Sequence, residues 1–320
     1  MFDLETNMND HRNWRDINQR LVDRGMKVIE FLIAPSVSDA KDLKRLNERK
    51  VGKPFRYPKW LISGLFVVKC AFHTPYRMLE GFVKGFSKFI NIKVPNFRTI
   101  QWRVQHYESP SLSFSKNPSK IRIAIDSSGI KPINDGEYRT FLYQKRKDWI
   151  KLHVVVDVDS GCVINVKLTK CNVHDNLPFK NLITPFIKDS EVLYADKAYD
   201  CDKNFRICRK NNIMCGIPVK LSGSDKTKKG PRKDAIAEQL GLYIGRGSHR
   251  LNRYQTKEMR KIYQQEWKER VGYGDRWFVE GFFSRYKRSF GESVFSKHKK
   301  NVEKEVTTKI NLLNLFATMT

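Results

Sequence analysis

The chain has 320 residues, 40 % of them hydrophobic and 12 % aromatic, enough for a sizeable core and more than one folding unit. Its 61 Lys and Arg against 34 Asp and Glu leave a formal charge of +27, more than solubility requires and of the sign that attracts polyanions. The longest apolar run, Trp60 to Ala71, contains Lys69 and falls short of the roughly 20 residues a membrane helix needs. The opening Met1-Phe2-Asp3-Leu4-Glu5 has no secretory pattern, so the expected setting is cytoplasmic with no membrane partner.

Residues 12–107 carry helical periodicity: Trp14, Ile17, Leu21, Val28 and Leu32 recur at helical spacing, followed by Trp60–Phe72, Tyr76–Ile90 and Phe97–Tyr107. In the last stretch Arg98, Gln101 and Gln105 share a face able to reach bases, as on the closing helix of a helix-turn-helix unit. A helical bundle that only packs or dimerises fits the same pattern. Ser109 to Pro118 is rich in Ser and Pro. The expected division is an all-α region at 1–108, a linker at 109–120 and a second domain at 121–320.

From residue 121 strands take over. Ile121-Arg122-Ile123-Ala124-Ile125-Asp126 reads as a strand closing on Asp126. Trp149–Val158 and Cys162–Thr169 pair as a hairpin through Asp159-Ser160-Gly161, where Gly accepts a positive φ. Asp175–Lys188 reads as a helix capped by Asp175 or Asn176, Val192–Ala195 as a buried strand leading to Asp196, Lys203–Asn211 as a helix, and Met214–Val219 as a strand. Antiparallel strands followed by alternating helix and strand predict an α/β fold, a mixed sheet flanked by helices. Lys220–Arg250 reads as a basic excursion that either touches nucleic acid or is simply solvated. Asp157, Asp159, Asp200 and Asp202 are assigned to turns and caps, and Asp175, after His174, to a helix cap. The six cysteines include no C-x-x-C pair and read as free thiols. The even spacing of Cys201, Cys208 and Cys215 invites zinc, but it crosses a helix and the strand after it.

Two strand-end aspartates, Asp126 and Asp196, with Glu280 on a helix, read as hard oxygen ligands for a divalent metal acting on nucleic acid. At about 100° per residue, Tyr273, Glu280 and Lys287 fall roughly 60°, 40° and 20° from Arg276. Phe278, Val279, Phe282, Phe283 and Tyr286 occupy the other side. Such a helix packs on a sheet while presenting its polar face to a site. A solvated face with Arg276 and Glu280 supporting each other at i,i+4 is the plainer reading of the same pattern.

The spacing of Tyr273, Arg276, Glu280 and Lys287 resembles, without a gap, the Y-R-E-K motif of DDE-type insertion-sequence transposases of bacteria and archaea. Ala195-Asp196-Lys197-Ala198-Tyr199-Asp200 is similar to their block around the second aspartate, and Ile123-Ala124-Ile125-Asp126-Ser127-Ser128-Gly129 to the block around the first. The opening Asn13-Trp14-Arg15-Asp16-Ile17-Asn18, with Leu21-Val22 and Arg24-Gly25, is similar to the start of the insertion-sequence-five group. The resemblance covers nearly the whole chain and implies a ribonuclease-H-like catalytic domain. It implies Asp126, Asp196 and Glu280 as catalytic residues holding two Mg²⁺ ions, with Mn²⁺ as a substitute and Asp126 shared between the ions. By the same resemblance Tyr273, Arg276 and Lys287 contact DNA at the cleaved end; because such an enzyme must find specific ends, Arg98, Gln101 and Gln105 are expected to read them. The implied partners are the element's terminal inverted repeats, target DNA and a second copy of the chain in the DNA complex, with association to the prokaryotic nucleoid. A ribonuclease-H-like nuclease and a catalytically silent DNA-binding derivative are the alternatives.

Overall fold

A computed structural model describes residues 13–33, 39–89, 92–106, 112, 120–132, 149–220, 230–241 and 257–318. The chain divides into two compact units, one running to Tyr107 and the other from Glu108 to Thr318. The expected linker lies outside the described residues except for Leu112 and Lys120. Among the described residues no helix is long and apolar enough to cross a membrane.

The first unit is helical: α1 (Trp14–Ile33), α2 (Asp39–Asn47), α3 (Lys59–Phe72), α4 (Tyr76–Phe86) and α5 (Phe97–His106). Its centre is α3, which starts after Pro58 and buries Leu61, Ile62, Leu65, Phe66 and Val68. The sequence expects α4 to run to Ile90. It ends at Phe86 because the Ser87 hydroxyl donates to Lys84 O, and Lys88 and Phe89 turn back to Gly85 O and Phe86 O. Ile90 and Tyr107 lie outside the described residues. Asn96 Oδ1 accepts from Arg98 N at the start of α5, and Glu80 Oε2 accepts from Phe97 N at 2.8 Å, which ties α5 to α4.

The second unit is a mixed sheet with helices on both faces. Its elements are β1 (Ile121–Pro132), β2 (Ile150–Asp157), β3 (Val163–Lys170), α6 (Asn176–Ile183), β4 (Ser190–Ala195), α7 (Asp202–Lys210), β5 (Met214–Gly216), α8 (Pro231–Leu240), α9 (Lys257–Arg270), α10 (Trp277–Phe290), β6 (Ser293–Val294) and α11 (Lys299–Ala317). The sheet order is β3-β2-β1-β4-β5, with β6 pairing β1. The β1–β2 and β2–β3 ladders are antiparallel; β4 is parallel to β1 and to β5. This mixed sheet, preceded by a helical region, has the ribonuclease-H-like form expected from the sequence.

Alternation along the strands sorts the side chains. Ile123, Ile125, Val155, Leu193 and Ala195 share one core cluster with Phe179 and Leu182 of α6, Phe205 of α7 and Ile236 of α8. The opposite face is covered by α10, which packs on β1 and β2 and buries Val279, Phe282 and Tyr286, and by α11 against β3. The outer edge of β3 is closed where Asn314 both accepts from Val163 N and donates to Val163 O, at 2.9 and 2.8 Å.

Several expected boundaries move for local reasons. β1 continues past Asp126 because Ser127–Ile130 stay paired with β2, and Lys131 and Pro132 then pair with β6. The helix expected over Asp175–Lys188 stops at Ile183, and Pro185 lies in the 3₁₀ turn Thr184–Phe186 that follows. β5 is three residues long instead of reaching Val219. Beyond it, Gln239 bonds Ile217 O and Val219 N and Gln264 bonds Val219 O, so buried side-chain amides replace the ladder. The basic excursion contains a helix, α8, bracketed by Gly230-Pro231 at its start and by Gly241, φ 65°, at its end. The remainder, 221–229 and 242–250, lies outside the described residues.

α11 carries a buried ion pair: Glu305 Oε1 and Lys309 Nζ are 2.8 Å apart, and Lys309 is fully buried. Burial pushes the Glu305 carboxyl up, but the Lys309 charge and the N–H groups of Ser296 and Phe295 outweigh it and hold the carboxyl below its usual range. Glu305→Ala leaves a buried ammonium without its carboxylate and is expected to cost about 3–5 kcal/mol, read as a lowered urea midpoint for the second unit.

Candidate active site

The β1–β4 ladder fixes two of the expected carboxylates. Ile125 pairs with Ala195 as the last parallel pair, so Asp126 and Asp196 follow at the same level on neighbouring strands, on the side of the sheet that faces α10. There β4 turns away: Asp196 caps the 3₁₀ turn Lys197–Tyr199, its Oδ1 accepting from Lys197 N at 2.6 Å. Asp126 Oδ1 accepts from Ser127 N at 2.8 Å.

The other residues arrive on two joined elements instead of the single helix expected. Gly272, φ 64°, breaks from α9 into a 3₁₀ turn, Tyr273–Arg276, and α10 begins only at Trp277. With about three residues per turn, Tyr273 and Arg276 stand one above the other. Three bonds fasten this turn to the strands. Tyr194 OH donates to Val271 O at 3.1 Å, Tyr273 OH donates to Ala195 O at 3.2 Å, and Asp275 pairs with Arg122 of β1. Arg122 also holds Asp159 in the hairpin turn at 2.6 Å.

Arg276 thereby sits among the carboxylates. Its Nη2 pairs with Glu280 and its Nη1 lies 3.5 Å from Asp126 Oδ2, and its guanidinium also faces the Tyr273 ring at 5.7 Å. Burial is the largest cause that pushes the Asp126 carboxyl up to about 6. Ser127 N–H and Arg276 oppose the rise, while the charges of Asp196 and Glu280 add to it, so the three carboxylates act on one another. Burial likewise raises the Tyr273 phenol, against Arg276 and with help from Asp196, Asp126 and Glu280. The phenol stays protonated and keeps donating.

The cap assignment of Asp175 does not hold. Asp175 precedes α6 but makes no side-chain cap bond. Its Oδ1 instead accepts from Ser127 Oγ at 3.0 Å and from Lys151 Nζ at 3.1 Å, and lies 3.9 Å from Nδ1 of the fully buried His153. Burial, with Lys151 and Lys167, lowers His153 to about 4 against the pull of Asp175, so the ring is neutral at neutral pH. Next in sequence, Asn176 donates to Ala198 O and accepts from Asn204, which also holds Tyr199 O. Asp175 and Asn176 therefore brace both aspartate-bearing segments from the opposite face of the sheet. The available signal was Ser127 and Lys151 at the same parity on neighbouring strands. Asp200 is no simple turn residue either: its fully buried carboxylate takes Arg232 at 2.6 and 2.9 Å and Lys220 N at 3.0 Å.

Lys287, one helical face along α10, pairs with Glu292 at 3.2 Å. In the first unit α5 exposes Arg98 and Gln101 and half-buries Gln105. Among the described residues no three His, Cys, Asp or Glu side chains are gathered closely enough to form a finished metal cage. Cys215 shares a hydrogen bond with Cys208, which together with burial holds its thiol well above the usual range, the opposite of what a thiolate ligand needs.

A carboxyl held at about 6 against an ordinary 3.8 favours folding in its protonated form. That contribution is complete below the unfolded value and is lost as pH rises through 6. Asp126→Asn is therefore expected to stabilise the chain in EDTA at pH 8 by on the order of 2–3 kcal/mol, with little change at pH 4, in urea unfolding at the two pH values.

Two family models match the chain, both described as a transposase DDE domain, one over residues 117–315 and the other over 23–135. The first spans the sheet, both strand-borne aspartates, the Tyr273–Arg276 turn and most of α11, and by that match the chain belongs to the DDE transposase family.

Proposed function

We propose that this transposase mobilises an insertion sequence of the insertion-sequence-five type. It binds the terminal inverted repeats of its own element and cuts and joins strands by in-line displacement at phosphorus. The electrostatic influence of Asp126, Asp196 and Glu280 on one another and on Arg276, which pairs with Glu280 and lies 3.5 Å from Asp126, is the observation that carries this reading. The donor set suits hard divalent cations: it is all carboxylate oxygen, and its mutual repulsion is the kind that positive charge relieves. Asp126, Asp196 and Glu280 would hold Mg²⁺, with Mn²⁺ as a substitute, and bound ions would polarise the phosphodiester and activate the attacking water or 3′-hydroxyl.

The chain's own residues prepare that step. Arg276 offsets part of the carboxylate charge in the free chain; on DNA its planar fork of donors transfers to a phosphate. Glu280, about half exposed on α10, is then released toward the two aspartates. Tyr273, anchored on Ala195 O, keeps the turn in place while its ring borders the DNA end. Lys287 exchanges Glu292 for a backbone phosphate further along the helix. Residues 1–108 form the end-recognition region, with Arg98, Gln101 and Gln105 turned to bases, and 121–320 the catalytic domain. Holding two ends at once calls for a homodimer in the DNA complex.

Incubation of the purified chain with DNA carrying the flanking ends of its own gene should give Mg²⁺-dependent nicks at those ends and joined products. Asp126→Asn and Glu280→Gln should reduce both to the level of an EDTA control. End binding without any cutting would instead mark a silent DNA-binding derivative, and nicking with neither end preference nor joining a nuclease. Asp175→Asn, remote from the DNA face, is expected to slow cleavage about 10–100-fold with end binding unchanged. A loss below twofold would leave Asp175 with a purely structural role.

A further inference from the structure

Within the first unit, the segment between α2 and α3 and the exposed side of α5 enclose a cleft of about 610 Å³. Its walls are tied down. Asn47 both accepts from Phe55 N at 2.7 Å and donates to Phe55 O at 3.1 Å. The buried Arg103 donates to Tyr57 O at 3.2 Å and lies 4.1 Å over the Phe55 ring, while Tyr57 OH donates to Val94 O. This is a preformed surface.

The lining combines two chemistries. Lys50, Lys53, Arg56 and Arg98 border the cleft, and among the described residues none of them pairs with a carboxylate. Trp102 supplies an aromatic wall. Its ring stacks on His106 at 4.4 Å and lies tilted 6.4 Å from Phe55, yet the residue remains 49 % exposed in a basic setting. Cations track phosphates, and an indole offers any base a stacking face. A space of this size lies in the range of small-ligand pockets, about 300–1,000 Å³. A B-form duplex is too wide to enter it; an unstacked nucleotide is not.

We propose that this cleft binds a short unpaired DNA strand, with a base stacked on Trp102 and the flanking phosphates on Lys53 and Arg56. The proposal rests on the reading that this unit meets the element's ends, and adds that it takes hold of a single strand there.

The test compares binding of the full chain, by fluorescence anisotropy, to three probes: oligo-dT, a blunt duplex of the element end, and that duplex with a short single-stranded tail. The tail should tighten binding, and Trp102→Ala should weaken oligo-dT and tailed DNA about tenfold while changing the blunt duplex less than twofold, with Trp102→Phe retaining most of the effect. Lys53→Glu with Arg56→Glu, both on the exposed rim, repeats the comparison without disturbing packing and should give the same selective loss. A 2-aminopurine in the tail should be quenched by the wild-type chain and not by Trp102→Ala. Equal losses on tailed and blunt DNA, or no gain from a tail, would overturn the cleft while leaving end recognition intact. A chain that holds oligo-dT but ignores the element ends would support the cleft and remove end recognition.

Discussion

Parallel pairing between β1 and β4 ends at Ile125 and Ala195, and the site is organised around that stopping point. Up to that pair the two strands are locked together by a shared ladder and a shared core. One residue later each carries an aspartate, and β4 turns away while β1 continues under β2 and β6. Carboxylates at that fork are held at neighbouring-strand distance by backbone geometry and not by any attraction between them. Their repulsion must be met by a cation, and Arg276 is delivered there by a turn sewn to the same two strands through Tyr194, Tyr273 and Asp275. Backbone pairing creates the electrostatic problem, and the same strands anchor the answer.

The two faces of the sheet divide the labour. Alternation puts Asp126 toward α10 and Ser127 toward α6. On the first face charge is concentrated; on the second, Asp175, Lys151 and His153 form a nearly enclosed polar patch that grips Ser127. Ser127 N–H reaches back to Asp126, so a single residue transmits placement from one face to the other.

Much of this was legible in the sequence because it depends on local patterns. Runs such as Ile123–Ile125 and Val192–Ala195 are apolar on both faces, which is what a central strand requires, and the acids that follow mark where burial stops. The spacing of Tyr273, Arg276, Glu280 and Lys287 showed that these residues belong together. It could not show that the first two lie on a 3₁₀ turn, because three- and four-residue spacings suit both helices, and the change of winding is set at Gly272 by contacts with distant strands. Asp175 was misread for a related reason. Cap preference is a local statistic, and the partners that override it, Ser127 and Lys151, are 48 and 24 residues away in sequence. The early end of β5 was hidden in the same way, since Gln239 and Gln264 reach it from helices that the pattern of basic residues concealed.

The pairing of Asp200 with Arg232 bears on how this chain tolerates change. Lys220 N and the Arg232 side chain are both fastened to one buried carboxylate, four residues beyond Asp196. The two ends of the intervening stretch are thus clamped at a common point. One carboxylate thereby ties a backbone N–H and a guanidinium to the segment that carries Asp196. A single substitution at Asp200 therefore releases both attachments at once and leaves the turn that follows Asp196 without their support.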